Sequence, residues 1–529
     1  MKNGMFGVMI DCSRNAVMRP ESIKRMVDIL SSVGYNTLML YTEDTYEVAG
    51  QPFFGHLRGR YTEAELQDLA RYCQSKGVEL IPCIQTLAHL GAIFKWRKEY
   101  LPINDCDDVL LIDDEKTYQL IDDMFAAVSR CFLTKKIHIG MDEAYRVGLG
   151  KYLAQHGYRE RFDVINSHLH RVCEMAKKYG LEPMVWSDMF CKLALQNEDY
   201  YAGRDWRAIE EKANLPEDVS LVYWDYYSDD YDRYDRMIKI NQAFHRPVLF
   251  AGGAWTWCGF APDNAFSIRN TLPAMQACAA NGVSDVLMTL WGDDGGECSR
   301  FSVLPTLFYA AALQEQWGGM ETVKQRFKAC CGMEYDSFLL LDKLNTPPGE
   351  HTNTAAKYLL YSDPLMGLTD WRLGSGVDAY YGALRDRLNG VEVAEEFRPI
   401  FESAAALCDV LSVKSELGLR TRAAYGKADK AALRRLAEVD YPAAAQKVRL
   451  FHAAFERFWM SENKPHGFDV QDHRLGGVAQ RLESCRRRIL AYCDGVQQSI
   501  PELEEELLPM ETLTCWSRII SPNVISHHL

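Results

Sequence analysis

Eight short apolar runs, separated by helical patterns across the first 320 residues, constrain this chain more than any other feature. They fall at 6–10, 37–41, 79–84, 136–139, 183–186, 220–224, 248–250 and 286–290. A strand covered on one face alternates apolar and polar residues, whereas a near-continuous apolar run marks a parallel strand covered on both. The intervening segments carry helical signals. Ile23, Met26, Val27, Leu30 and Val33 lie on one stripe. Thr62 and Glu65 form a capping box ahead of Leu66, Leu69, Ala70 and Cys73, and Gly77 closes that helix. Eight strand–helix alternations predict an α/β chain with a (β/α)8 TIM barrel. A doubly wound open sheet is the alternative, but no glycine-rich phosphate loop follows the first run.

Beyond Gly318 the strand signals stop and long helical stripes take over, such as Phe397, Ile400, Phe401, Ala404, Leu407, Cys408 and Leu411. A second stripe runs through Val448, Phe451, Ala454, Phe455 and Phe458, and Pro442 is placed to start or kink its helix. The expected organisation is a catalytic barrel over 1–320 followed by an all-α C-terminal domain over 321–529. The polar and aromatic break at 459–469 is expected either near the barrel mouth or as a plain turn between helices.

Bulk properties narrow the function classes. A net charge of −14 argues against a nucleic-acid partner, which needs a basic face. No apolar stretch approaches the roughly 18 residues of a membrane span. The sixteen cysteines show neither C-x-x-C nor zinc spacing, so they read as reduced thiols. Together with an N-terminus that lacks a secretory h-region, this predicts a cytoplasmic protein. No cofactor or metal is expected, and a homodimer is the default oligomer.

In such a barrel the working side chains sit at the C-terminal ends of the strands. The first strand delivers Asp11 and Arg14, the second Glu43 and Asp44, and the third leads to His89. The fourth delivers Asp142 and Glu143, the fifth Trp186 and Asp188, and the sixth Trp224, Asp225, Tyr226 and Tyr227. Trp255 and Trp257 follow the seventh; Trp291, Asp293, Asp294 and Glu297 follow the eighth. A lone tryptophan at a strand end is usually packing, and a lone aspartate is often a helix cap. Recurrence changes the reading: tryptophans beside carboxylates at one rim suit a sugar, whose C–H face stacks on an indole while acids hold its hydroxyls. In Gly140-Met141-Asp142-Glu143 the glycine permits a tight exit, and neighbouring acids repel so that one tends to keep a proton. A metal set of His89, His138, Asp142 and Glu143 is disfavoured, because His138 lies inside the strand where a packed histidine is expected.

These motifs together resemble glycoside hydrolase family 20, the exo-β-N-acetylhexosaminidases, in a short form with a barrel and a helical C-terminal domain. The resemblance rests on GVMIDCSRN at 7–15, the segment 61–91 ending near His89, HIGMDEA at 138–144 and TLWGDDGGE at 289–297. It implies retaining hydrolysis of terminal β-linked GlcNAc or GalNAc from oligosaccharides or glycan ends, with the substrate's own acetamido group as nucleophile through an oxazolinium ion. Glu143 would be the acid–base catalyst, and Asp142 would orient the acetamide. Trp186, Trp224 and Trp291 would wall in its methyl group. Asp293, with Glu297, would hold hydroxyls, and His89, Asp44 and Trp255 complete the expected binding set. Two positions depart from the family pattern. Phe6 stands where an arginine usually reads two sugar hydroxyls, leaving Glu43, Asp44, Arg58 and Arg60 as replacements. The tyrosine expected after the seventh strand is missing, leaving Tyr226 or Tyr227. Two competing readings remain: a retaining β-glycosidase with a protein nucleophile, pairing Glu143 with Asp293, and a non-catalytic glycan-binding barrel.

Overall fold

A computed structural model describes residues 4–197, 199–202, 207–212, 214–349, 352–510 and 515–523. Its eight long-run strands are Phe6–Asp11, Thr37–Glu43, Glu79–Ile84, Lys136–His138, Glu182–Trp186, Ser220–Trp224, Val248–Gly253 and Val286–Leu290. All pair in parallel in chain order, and the eighth returns to the first through the register Phe6↔Val286 to Ile10↔Leu290, closing the barrel.

The continuous apolar runs reflect burial on two different faces. In the first two strands Val8, Ile10, Leu38 and Leu40 pack outward under the helices. Met9, Met39 and Tyr41 alternate with them and fill the barrel interior with Met184, Val222, Leu249 and Leu287. The same two-residue period carries Tyr41, Trp186, Trp224 and Trp291 to the top of the interior. Burying an apolar side chain of this size contributes about 1.5–3 kcal/mol. Tyr41 and Trp186 are fully enclosed and serve packing, whereas Trp224 and Trp291 keep some exposed surface at the mouth.

The helices begin and end where the local signals place them. Pro20–Ser32 buries Ile23, Met26, Val27 and Leu30. Glu63–Ser75 starts with the reciprocal Thr62–Glu65 capping box, and Gly77 follows its end at φ +71°. The seventh strand is longer than its apolar run, because Ala251, Gly252 and Gly253 continue the ladder against Leu287, Met288 and Thr289. Sequence pattern also misses an antiparallel hairpin, Asn104–Cys106 with Val109–Leu110, inserted after the third strand. At its turn the Asp108 carboxylate accepts the His89 backbone N–H at 3.1 Å.

The C-terminal domain is helical, with Val377–Asn389, Arg398–Lys414, Tyr441–Glu462 and Phe468–Cys493 as its longest members. Pro442 lies in the first turn of its helix directly after a π-helical turn, Leu436–Asp440, the local irregularity at which the chain accommodates its missing N–H. The break after that helix lies against the loop following the first barrel strand: Lys464 N–H donates to the Val17 carbonyl at 2.8 Å, and Gly467 sits so close to Asn15 that a Cβ would overlap it. Among the described residues no helix is long and apolar enough to cross a membrane.

Candidate active site

The fourth strand ends at His138, and the next five residues turn sharply. Gly140 has φ +75°, and a Cβ there would collide with the Gln85 side chain. Met141 and Glu143 also sit at positive φ, +72° and +50°. Such conformations cost of order 1–3 kcal/mol each for non-glycine residues and persist only where the surroundings enforce them. Here the Met141 N–H donates to Gln85 Oε1 at 3.1 Å, and the Glu143 N–H donates to Asp188 Oδ2 at 3.0 Å. Glu43 and His89 add two more left-handed residues at the same rim, φ +42° and +58°.

Those turns bring three side chains together. His89 Nε2 lies 3.3 Å from Asp142 Oδ2 and 3.5 Å from Glu143 Oε2. Gln85 Nε2 donates to Asp142 Oδ1 at 2.7 Å and to the Tyr41 hydroxyl at 2.9 Å. Burial alone raises the Asp142 carboxyl, but His89, Gln85 and Arg14 outweigh it and hold the group below its ordinary range. Burial likewise opposes a charge on His89, yet the Asp142 anion lifts the imidazole to about 10, so it is a cation at neutral pH. Glu143 differs from its neighbour: its side chain is 39% exposed, and Tyr145 Oη donates to its Oε1 at 2.9 Å. Asp188 is buried beneath both, and burial followed by the Asp142 charge pushes it up to about 7.

A second set of charges surrounds Arg14. Its guanidinium lies 3.1 Å from Glu43, 3.5 Å from Asp11 and 3.5 Å from Asp293, and within 5.0 and 5.5 Å of the Tyr41 and Trp291 ring centres. The aromatic wall is continuous: Trp186–Trp291 at 6.0 Å, Trp224–Tyr226 stacked at 5.5 Å, Tyr226–Trp257 at 5.1 Å and Trp255–Trp257 at 4.3 Å between ring centres. The indole N–H groups of Trp186, Trp255 and Trp291 are buried and have no acceptor. Tyr226 is buried, while Tyr227 is half exposed.

Most of the rim residues expected from sequence meet in this mouth: His89, Asp142, Glu143, Trp186, Trp224, Tyr226, Tyr227, Trp255, Trp291 and Asp293. Two do not. Asp44 is 1% exposed and paired with Arg58 at 2.9 Å under the first loop. Glu297 is 2% exposed and faces the helical domain, held by Lys357 at 2.7 Å and Arg474 at 2.9 Å. Glu297 is turned from the mouth to the helical domain, and Asp44 is enclosed beneath the first loop with its Oδ2 lacking a hydrogen-bond partner. Arg58 and Arg60 are likewise committed, Arg58 to Asp44 and the Ser13 carbonyl, Arg60 to the carbonyls of Pro52 and Phe54. Gln85, Tyr145, Arg14 and Asp188 are the site residues that sequence reasoning left without a role. Gln85 had a signal, as the first polar residue after the third strand; Tyr145 had none. His138 is fully buried against Trp186 at 4.3 Å, and burial drops its pKa to about 3. Among the described residues no group of three His, Cys, Asp or Glu side chains is arranged to hold a metal ion.

Comparison with known proteins adds a family. A model of the glycosyl hydrolase family 20 catalytic domain matches residues 6–223, and one of the glycoside hydrolase 20C C-terminal domain matches 336–517. Beta-hexosaminidase 3 of Arabidopsis thaliana is 23% identical over 201 residues, 35% of this chain and 37% of that protein. A probable beta-hexosaminidase of Arthroderma benhamiae is 23% identical over 251 residues, 41% and 38% respectively. The chain thus spans less than half the length of the curated relatives it matches. Among solved structures, the Streptomyces plicatus N-acetyl-beta-hexosaminidase in complex with thio-NAglucal aligns with 64% of this chain and 69% of that one, at 19% identity and TM-score 0.46. The catalytic-domain match ends within the sixth strand, before the two strands that carry Trp255, Trp291 and Asp293.

Proposed function

The chain belongs to glycoside hydrolase family 20, and from that premise we propose that it is an exo-acting, retaining β-N-acetylhexosaminidase that removes terminal β-linked GlcNAc or GalNAc by substrate-assisted catalysis. One observation carries the reading. Two consecutive carboxylates share a single imidazolium at the floor of a tryptophan-lined mouth, one ionised and enclosed, the other exposed and also bonded by Tyr145. Two like acids in unlike surroundings divide the roles.

In the first step the acetamido carbonyl oxygen attacks C1 while the bond from C1 to the glycosidic oxygen breaks. Glu143 delivers its proton to that oxygen. Asp142 accepts a hydrogen bond from the acetamido N–H and offsets the positive charge that builds on the forming oxazolinium ring. In the second step Glu143 takes a proton from water as the water oxygen bonds to C1 and the ring opens, leaving the anomeric configuration retained. His89 keeps Asp142 ionised throughout. Tyr226 donates to the acetamido oxygen, because its ring is buried in the mouth between Trp224 and Trp257 whereas Tyr227 is half exposed. With Phe6 in place of the arginine, Arg14 and Asp293 read the ring hydroxyls from across the mouth. Trp186, Trp224 and Trp291 enclose the acetamido methyl.

The test is a pair of aryl β-glycosides that differ only at C2. The 2-acetamido sugar is expected to turn over and the plain glucoside to remain intact, with a thiazoline sugar as a tight inhibitor. Equal turnover of both aryl glycosides would replace this reading with a protein nucleophile, and no turnover of either would leave a binding barrel.

A further inference from the structure

Two loops that leave the barrel mouth meet again on the surface, at a corner the mechanism above does not use. The loop after the second strand carries Phe53, His56 and Leu57, and the loop after the third runs from His89 to Trp96. The Trp96 ring centre lies 5.2 Å from that of Phe53 and 5.3 Å from that of His56. Trp96 and Phe53 are half-buried, His56 is exposed, and Leu57 beside them is 72% exposed at φ +61°. Apolar groups clustered on a surface, rather than scattered singly, mark a place of contact.

The same corner is basic. Lys95, Arg97 and Lys98 flank Trp96, all three are exposed, and none forms an ion pair among the described residues. Glu99 is the one acid in that run. Elsewhere the exposed Lys76, Lys177 and Lys178 each hold a carboxylate, at 2.6, 2.8 and 2.9 Å. In a chain of net charge −14, three unpaired cations around one indole are a local reversal of sign.

The surface is preformed. Gly55, at φ +64°, passes so close to the Asp44 carbonyl that a Cβ would overlap it. Arg60 donates to the carbonyls of Pro52 and Phe54, and the Trp96 N–H donates to the Ile93 carbonyl at 3.0 Å. A surface fixed in this way loses little freedom on binding.

We propose that this corner docks an acidic polysaccharide, one bearing sulfate or uronate groups, at a site separate from the catalytic mouth. Lys95, Arg97 and Lys98 supply the charge, and Trp96 with Phe53 and His56 supplies the ring surface on which pyranose C–H groups pack. The choice of a glycan among polyanions rests on the family 20 reading of the mouth. It also follows from charge density: the acidic remainder of the protein repels a long polyphosphate more than a glycan with sparser charges.

The probe is a chondroitin sulfate fragment ending in a uronate, which offers the mouth no terminal acetamido sugar. Its binding to the full chain is followed by calorimetry at low and at physiological salt. The parent is expected to bind it. Lys95→Gln, Arg97→Gln and Lys98→Gln combined should weaken binding about tenfold at low salt and flatten the salt dependence, with the thermal unfolding midpoint unchanged. Trp96→Ala should weaken it about threefold while keeping the salt dependence, and Trp96→Phe should recover part of that loss. A parent that does not bind, parental affinity in the triple variant or in Trp96→Ala, or equally tight binding of a single-stranded oligonucleotide of the same charge would each overturn the proposal. A parent that binds the fragment yet cleaves no aryl N-acetylglucosaminide would overturn the proposed function and leave this docking surface standing.

Discussion

Two clusters of buried charge lie side by side here and are built on opposite rules. At the barrel mouth the six acids Asp11, Glu43, Asp142, Glu143, Asp188 and Asp293 outnumber their cations, Arg14 and His89, with Arg300 behind Asp11. Behind the eighth strand Asp294 and Glu297 face Lys357 and Arg474, two charges of each sign, with Trp516 N–H completing Asp294 at 2.6 Å. The mouth has an excess of acids, left-handed backbone at non-glycine positions and buried indole N–H groups without acceptors. The second cluster is neutral in formal charge, and it joins the barrel to the helical domain. Asp293 and Asp294 are adjacent in sequence and belong to different clusters. A charge set left unbalanced is free to respond to a ligand, whereas a balanced one is spent on holding the structure.

The contrast breaks most sharply at Glu143. Glu143→Gln should cut kcat for an aryl N-acetylglucosaminide by roughly 10⁴-fold while leaving the thermal unfolding midpoint near the parental value. A large drop in that midpoint would place Glu143 on the structural side. Lys357→Met should do the reverse, because it leaves two buried carboxylates short of a partner. The loss should be about 3–5 kcal/mol of folding stability, read from denaturant unfolding. Lys357→Met combined with Glu297→Gln should be milder than the single change, since the orphaned charge is gone too. If the double variant is worse, the cluster is not electrostatically balanced.

Asp142→Asn should lower kcat about 10²-fold with a small change in KM, because its charge matters most as the cation forms. The same variant should let the His89 imidazole fall from about 10 towards its ordinary 6.5, which NMR titration of that ring would follow. An unmoved imidazole would mean that Asp142 is not what keeps it charged.

The pH profile of stability separates the mouth residues further. His89 gains a partner on folding and its pKa rises, so its contribution is complete below about 6.5 and is lost as pH climbs through about 10. Asp142 is lowered, so its contribution is present above about 3.8 and disappears as acid titrates it below that value. Asp188 is raised, so its ionisation works against folding: stability declines as pH rises from about 3.8 to about 7 and then levels off. Asp188→Asn should flatten that decline, making the variant more stable relative to the parent at pH 8 than at pH 4. An equal offset at both pH values would show that Asp188 does not titrate in this window.

The site was unevenly legible for physical reasons. Asp142, Glu143 and the tryptophans could be found because each follows an apolar run, and the end of a parallel strand is a fixed address at the barrel rim. Gln85 was harder, since its role depends on reaching two loops at once. Asp44 and Glu297 looked like rim acids, and their destinations depended on Arg58, Lys357 and Arg474, the last two arriving from far along the chain. The hairpin that holds His89 consists of three-residue and two-residue strands, too short for periodicity to register.

Sequence alone determined the eight strands, the helical region behind them and the pair of carboxylates that leave the fourth strand, because apolar periodicity and strand ends are local properties. Only the tertiary structure decided which acids remain unpaired, which of two adjacent aspartates faces the mouth, and how His89 comes to lie between Asp142 and Glu143. Those outcomes depend on distances between segments tens to hundreds of residues apart. A charge's role is set by what lies within a few ångströms of it, and the linear order of residues does not contain that information.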